Sequence, residues 1–324
     1  MEKVKWGMIG AGDVAEIKSG PAFQKADNSE LLAVMRRNAS KAEDFARRHG
    51  VPEWYCDAER IIKHPEINAV YIATPPSSHE DYAIRALRAG KHVYLEKPMA
   101  TSLEACQRIV DEVNKSDQKL VLAHYRRALP AFLKVKELLD QQAIGDVRFA
   151  EIRILQPVQS KLIAQTDINW RVQPEISGGG FFHDIAPHQL DLMYLYFGKP
   201  TSMSGHAYNQ AGNYPAEDIV TSSMTFDKNI VFQGLWCFTV NENQAREYCE
   251  IIGEKGSIRF SFYGAEVELA TNTMETLTFE NPANIQLPMV QRVNQYFMGK
   301  DENPCSADEG IQVMEMLQHA SRRS

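Results

Sequence analysis

The residues that most narrow the choice of fold stand at the start of the chain. Val4 to Ile9 is a short, mostly apolar run, and it leads straight into Gly10-Ala11-Gly12-Asp13-Val14-Ala15. This is GxGxxA between an expected strand and an expected helix. In such a loop the first glycine permits the tight turn, the second lets backbone approach a pyrophosphate, and a small third residue lets helix pack on strand. The helix N-terminus offers free N–H groups and a partial positive charge to the phosphates. A plain glycine turn has the same letters. The alternation that follows is what separates the two: strands at 31–34, 54–56, 69–73, 92–95 and 119–123, with helical patterns between them. The expected fold class is therefore α/β, with a Rossmann dinucleotide-binding domain over residues 1–124. Gly10, Gly12, Asp13 and Val14 are its candidate pyrophosphate contacts.

The second strand ends in Met35-Arg36-Arg37-Asn38. An NAD-specific domain usually carries an acid near this point for the ribose 2′-hydroxyl. Here two arginines stand instead, and guanidinium groups pair bidentately with a 2′-phosphate. NADP is the favoured cofactor, with Arg36 and Arg37 as its readers; NAD is the alternative if both are solvated surface charges. Ser40, with Glu43 three residues on, reads as a capping box for the next helix.

The strand at 69–73 runs into Thr74-Pro75-Pro76-Ser77-Ser78-His79, and its prolines continue neither regular element. Ligands of an open α/β sheet lie beyond the carboxyl ends of the strands, so this turn is expected to face the nicotinamide side of the cofactor. The next buried strand, His92 to Leu95, ends abruptly in Glu96-Lys97-Pro98. A lysine at that edge is within reach of both nicotinamide and substrate, and the proline after it invites a cis bond. Thr74, Pro75, Pro76, His79, Glu96 and Lys97 complete the cofactor set. Lys97 is expected where the two halves of the chain meet.

Together, Gly10-x-Gly12-x-x-Ala15, Thr74-Pro75-Pro76 and Glu96-Lys97-Pro98 resemble the Gfo/Idh/MocA family of glucose–fructose oxidoreductases, inositol dehydrogenases and their relatives. Trp170-Arg171, Gly178-Gly179-Gly180 and Asp184-x-x-x-His188-x-x-Asp191 look like its second-domain signature, in order and spacing. The resemblance implies a nicotinamide-dependent oxidoreductase of sugars, polyols or their derivatives. It implies a Rossmann domain followed by an α/β domain whose large open sheet often forms the subunit interface, hence a homodimer or homotetramer. It puts Lys97, Asp184 and His188 on active-site positions and a cis peptide at Lys97–Pro98. The arginines at 36 and 37 depart from members with an acid at the strand end.

Residues 125–324 are the expected substrate-binding and oligomerisation domain. Phe132, Val135, Leu138 and Leu139 share one face of a helix over 130–141. Strand patterns follow at 147–156, 201–208, 219–226, 230–240, 246–252, 257–262 and 265–270, punctuated by Asp227-Lys228-Asn229 and Gly253-Glu254-Lys255-Gly256. They suggest one large, mainly antiparallel sheet. A helix is expected over 307–321. Asp184 and His188, at i and i+4 of a further helix, lie on one face, and Asp191 stands where it could orient the imidazole. His183 points elsewhere on that helix and is read as non-catalytic. His183, Asp184 and His188 offer metal-ligand types, but not all three are well placed for one ion, so no metal is expected. Trp170 offers an aromatic face to sugar C–H groups and Arg171 a donor to hydroxyls or acids, unless Trp170 is core and Arg171 pairs with an acid. Tyr125, at the domain junction, is a further candidate substrate contact.

Composition sets the outer limits. The 324 residues include 42 Asp plus Glu against 35 Lys plus Arg, a formal net charge of -7, which argues against nucleic-acid and anionic-membrane partners. No apolar run approaches the ~18 residues of a membrane span, and Met1-Glu2-Lys3-Val4-Lys5 lacks a signal-peptide core, so a cytoplasmic protein is expected. The five scattered cysteines suit reduced thiols. The expected activity is hydride transfer between a nicotinamide cofactor and a carbinol or carbonyl carbon of a sugar or polyol. Two competitors remain: transient oxidation by a tightly bound nicotinamide, giving elimination, epimerisation or glycoside cleavage, and a non-catalytic dinucleotide-binding regulator. A regulator needs no acid–base pair.

Overall fold

The structure is a computed structural model and describes residues 1–12, 15–163 and 169–322. The chain folds into two units. The first comprises Met1–Tyr125 and Pro282–Ile311; the second takes Arg126–Asn281 and the chain from Gln312 onward.

In the first unit six strands form one parallel sheet. They are β1 (Val4–Ile9), β2 (Ser29–Met35), β3 (Glu53–Tyr55), β4 (Ala69–Ile72), β5 (His92–Leu95) and β6 (Leu120–Leu122), in the order β3-β2-β1-β4-β5-β6. Every residue of β4 and β6 is buried. A sheet covered on both faces selects such continuous apolar strands rather than alternating ones. The crossovers carry α1 (Gly20–Lys25), α2 (Ala39–His49), α3 (Ala58–Ile62), α4 (His79–Arg88) and α5 (Leu103–Lys115). Strand order reverses between β1 and β4, the place where an open α/β sheet leaves a crevice for ligand. Ahead of α1, Ala15–Ser19 forms a π-helical turn. Gly20 follows it because a Cβ there would meet the Ala15 carbonyl oxygen at 2.5 Å.

Two expectations shift. The cap of α2 is Asn38, whose Oδ1 accepts the Lys41 N–H at 3.1 Å, and Ser40 bonds that same oxygen at 2.8 Å. Asparagine caps as well as serine does, and it stands directly after the strand exit. The division into 1–124 and 125–324 is also interrupted, because 282–311 returns to the first unit. That segment carries α9 (Leu287–Phe297), whose Met289, Val290, Val293 and Phe297 are buried. Each such burial stabilises by about 1.5–3 kcal/mol. Phe297 lies 5.7 Å from the Trp6 ring, and Asn294 Oδ1 accepts the Trp6 indole N–H at 3.2 Å.

The second unit is built on an eight-stranded sheet. Its helices are α6 (Pro130–Asp140), the short α7 (Pro174–Ser177) and α8 (Phe181–Phe197). Its strands are β7 (Val147–Leu155), β8 (Ser202–Tyr208), β9 (Ile219–Thr225), β10 (Val231–Cys237), β11 (Arg246–Gly253), β12 (Ser257–Phe260), β13 (Glu266–Ala270) and β14 (Met274–Thr278), in the order β14-β13-β12-β11-β7-β10-β9-β8. All neighbours pair antiparallel except β7 with β10. Alternation is visible in β9, where Val220, Ser222 and Met224 are buried while Thr221 and Ser223 are exposed. Phe182 on α8 meets Trp236 of β10 edge-on at 5.0 Å, and Phe132 on α6 meets Phe260 of β12 at 5.8 Å. The last helix, α10 (Ala307–Ala320), occupies the span expected for it. Elements α3, α7, α9 and β14 go beyond the sequence reading. Among the described residues no helix is long and apolar enough to cross a membrane.

Candidate active site

In the first unit the glycine loop leaves β1 under tight steric control. Gly10 has φ +99°, and a Cβ on it would lie 2.7 Å from the Ala73 carbonyl carbon and 2.9 Å from the Thr74 nitrogen. Only glycine permits that approach of loop to the end of β4. The backbone N–H groups of Gly10 and Ala11 both donate to the Met35 carbonyl at 3.0 and 3.1 Å, which ties the loop to the end of β2. Around Gly12, chain neighbours aside, the nearest atom to an added Cβ among the described residues is the Gly10 oxygen at 3.9 Å, an ordinary van der Waals contact. A close-packed first glycine followed by a less crowded second one suits a dinucleotide pyrophosphate. Asp13 and Val14 lie outside the described residues. Arg36 folds back so that Nη1 donates to the Ala11 carbonyl at 3.2 Å, which sets a guanidinium beside the loop; Arg37 is exposed.

The turn after β4 leaves Thr74 and Pro75 half-exposed and buries Pro76. His79 is fully buried. Its Nδ1 lies 2.9 Å from the Pro98 carbonyl and its Nε2 2.8 Å from the Thr74 carbonyl. A neutral ring donates to one carbonyl only, whereas the imidazolium serves both; burial nevertheless pushes the pKa down, against the pull of these bonds. The ring thus ties the turn at 74–76 to the turn at 97–98. Glu96 is held in the same region. It is 7% exposed, accepts from the Tyr71 hydroxyl at 2.6 Å and from Gln286 Nε2 at 3.0 Å, and takes the Lys97 N–H at 3.2 Å. Lys97 is half-buried, and the Lys97–Pro98 bond is cis. Tyr71 and Gln286 were absent from the sequence reading. Gln286 arrives 190 residues along the chain from Glu96, and no local pattern signals that meeting. Tyr125, 7% exposed, closes the first unit.

In the second unit a 3-10 turn, Trp170–Val172, delivers Arg171 to the start of α8. Arg171 is 4% exposed, its Nε donates to Asp184 Oδ2 at 3.0 Å, and its Cζ lies 4.5 Å from the centre of the partly exposed Trp170 ring. Arg171 thus pairs with an acid, as one of the two readings of this residue had it, while Trp170 stays partly exposed. Asp184 keeps 20% of its side chain exposed. His188, one turn on, is 7% exposed. The helix beneath them is anchored by Gln189, whose Oε1 accepts the Trp236 indole N–H at 2.6 Å. Asp191 is held by Arg127 in a buried pair. His183 faces Glu217, with Nδ1 2.8 Å from Oε1. Glu217 has no counterpart in the sequence reading.

A parallel sheet of order 3-2-1-4-5-6 with a glycine loop at its switch point, joined to an open sheet whose helix carries an acid and a histidine one turn apart, defines a nicotinamide-dependent oxidoreductase. Family profiles agree. "Oxidoreductase family, NAD-binding Rossmann fold" matches residues 4–124, and "GFO/IDH/MocA C-terminal domain" matches residues 132–259. The chain belongs to the Gfo/Idh/MocA family, dehydrogenases and reductases of CH–OH groups. It is 48% identical over 316 residues to Oxidoreductase P35 of Formosa agariphila, covering 97% of each chain. It is 24% identical over 314 residues to the 1,5-anhydro-D-fructose reductase of Ensifer adhaerens, covering 95% of this chain and 92% of that one. In fold it is similar to a levoglucosan dehydrogenase solved with NADH and levoglucosan, with a TM-score of 0.85, 23% identity, and coverage of 98% and 96%.

Proposed function

We propose that the protein interconverts a carbinol and a carbonyl on a sugar or polyol, with NADP(H) as the preferred cofactor. The observation that carries the reading is the pair of Asp184 and His188 one turn apart on α8, in a chain whose first unit holds a dinucleotide loop. Gly10 and Gly12 would hold the pyrophosphate, and Thr74, Pro75 and Lys97 the nicotinamide end. Arg36 supports the NADP preference, since a guanidinium already stands beside the loop and no acid occupies the strand end. Bound there, the nicotinamide supplies the hydride acceptor or donor.

The chain's own residues handle the proton and the orientation. In the oxidising direction His188 takes the hydroxyl proton. Lys97 hydrogen-bonds that oxygen and stabilises the negative charge developing on it. Asp184, held by Arg171, accepts a hydrogen bond from a neighbouring hydroxyl and fixes the ring. In reduction His188 returns the proton. The names of the reductase and the dehydrogenase above support sugars and anhydrosugars as the first substrates to try.

The eight-stranded sheet supports a further part of this reading. Its outward-facing Val231 and Ile252 are 40% and 39% exposed, and Met274 on the edge strand 68%; their burial against a second copy gives a homodimer or homotetramer. The free cysteines, four of them buried, support a reducing, cytoplasmic setting.

The test is a fluorescence titration of the purified protein with NADPH and NADH, followed by a panel of sugars and polyols that includes levoglucosan and 1,5-anhydro-D-fructose. Tighter NADPH binding, lost in Arg36→Asp, and turnover on the panel are the expected results. Preference for NADH overturns the arginine reading alone. Turnover with cofactor that never leaves the protein moves the activity to transient oxidation.

A further inference from the structure

Helix α8 carries both Asp184 and His188, yet its own sequence does little to hold its first turn. The N-cap is Gly180, and no side chain caps it. Pro187 lies inside the helix. Having no N–H, it leaves the His183 carbonyl without its intrahelical partner and crowds it with the pyrrolidine ring. A turn that is uncapped and short of one hydrogen bond needs fastening from elsewhere.

The loop between β8 and β9 supplies that. Glu217, 6% exposed, brings Oε1 to 2.8 Å from the Gly180 nitrogen and 2.8 Å from His183 Nδ1. Both nitrogens donate, which fixes the proton on Nδ1. Burial alone would raise the Glu217 pKa; the bonds from His183 and the Gly180 N–H hold it below the ordinary carboxylate value. Its charge also lies at the positive end of a helix dipole. Tyr214, from the same loop, meets the Phe181 ring edge-on at 5.2 Å. On the far side of the imidazole, Nε2 lies 3.4 Å from Ser321 Oγ, and that hydroxyl donates to the Leu317 carbonyl at 2.9 Å.

Gly179 completes the arrangement. A Cβ at this position would overlap Nδ1, Cε1 and Cγ of His183. Gly179 is not among the glycines with positive φ, so its backbone accepts alanine. What excludes a side chain is the imidazole itself.

We propose that Glu217 and His183 are positioning residues, a clamp that fixes the first turn of α8 and thereby the direction of Asp184, with Gly179 as the gap that admits the imidazole. The proposal deepens the function above and rests on it for the roles of Asp184 and His188. Asp184 directly follows His183, so a frayed first turn carries its carboxylate away from the substrate, and misplacement by ~1 Å costs up to ~10²-fold in rate.

The test uses the full chain, NADPH or NADP, and a panel substrate that the wild type turns over. Gly179→Ala, His183→Ala and Glu217→Leu should each lower kcat by about 10–100-fold, counted per cofactor-binding site and well below each variant's unfolding midpoint, with NADPH affinity unchanged. Glu217→Gln keeps an acceptor for both donors and should retain most of the rate. The double variant Gly179→Ala/His183→Ala should be no slower than the slower single one, because the alanine acts by displacing the imidazole. Wild-type kcat in Gly179→Ala, or losses that multiply in the double variant, overturns the clamp. A wild type that turns over no panel substrate overturns the proposed function instead. In that event the His183 Nδ1–H proton resonance decides whether the clamp exists: it should be present in wild type and Glu217→Gln and lost in Gly179→Ala.

Discussion

Arg127 grips Asp191 with two nitrogens: Nε lies 3.0 Å from each carboxylate oxygen and Nη2 2.7 Å from Oδ1, with the two side chains 3% and 0% exposed. Spacing alone offered Asp191 as the group that orients His188. The structure sets the Arg127 guanidinium on that carboxylate, a partner that the spacing did not call for. Removing one partner of a buried pair leaves an uncompensated charge and costs about 3–5 kcal/mol. Asp191→Asn and Arg127→Met should each lower the urea midpoint accordingly, and Arg127→Met/Asp191→Leu should recover much of the loss. Single variants as stable as wild type contradict this view of the pair.

Lys97→Ala and His188→Ala test the acid–base assignment. Each should lose about 10²–10⁴-fold in kcat while NADPH still binds in a fluorescence titration. Undiminished turnover in both removes them from the chemistry.

Arg171→Lys tests whether the planar guanidinium matters. A lysine cannot bond Asp184 through Nε while lying over the Trp170 ring. The KM for the sugar should rise by about tenfold, equivalent to ~1.4 kcal/mol, and kcat should fall less. An unchanged KM means that Arg171 only fills space.

A pH effect on stability belongs to His92. Its Nδ1 accepts the Lys119 N–H at 3.0 Å, and its ring lies 4.9 Å from Phe297. Burial, with Lys119 nearby, pushes its pKa down to about 4. The unfolded chain takes up this proton near pH ~6.5, and the folded chain only near pH 4. The residue's contribution is therefore complete above the unfolded value and is lost as pH falls from there towards 4. Thermal midpoints between neutral pH and about pH 5 should fall less in His92→Asn, which keeps an acceptor. Parallel slopes in the two proteins argue against it.

The elements that were legible in advance are those whose determinants are local. The strand 92–95 coincides with β5, and α8 carries the spacing of Asp184 and His188, because periods of 2 and 3.6 residues write burial directly into sequence. The capping of α2 by Asn38 was missed because Ser40 and Glu43 made an equally good local pattern two residues later. Pairings across distance left no trace: Arg171 with Asp184 over 13 residues, His183 with Glu217 over 34, and Glu96 with Gln286 over 190.

By itself, then, the sequence determined a dinucleotide loop at the first strand, a lysine at the end of β5, and an acid and a histidine on one helix face, since each depends on residues within a turn or a strand of one another. Only the tertiary structure decided which charges are neutralised and which remain available. Arg171, read from the sequence either as a substrate contact or as the partner of an acid, is paired with Asp184; Asp191 is paired with Arg127; and His183, read as non-catalytic, joins Glu217 in holding α8. The physical reason is that a buried charge must find a partner, and the fold, not the neighbouring residues, determines which partner is within 3 Å.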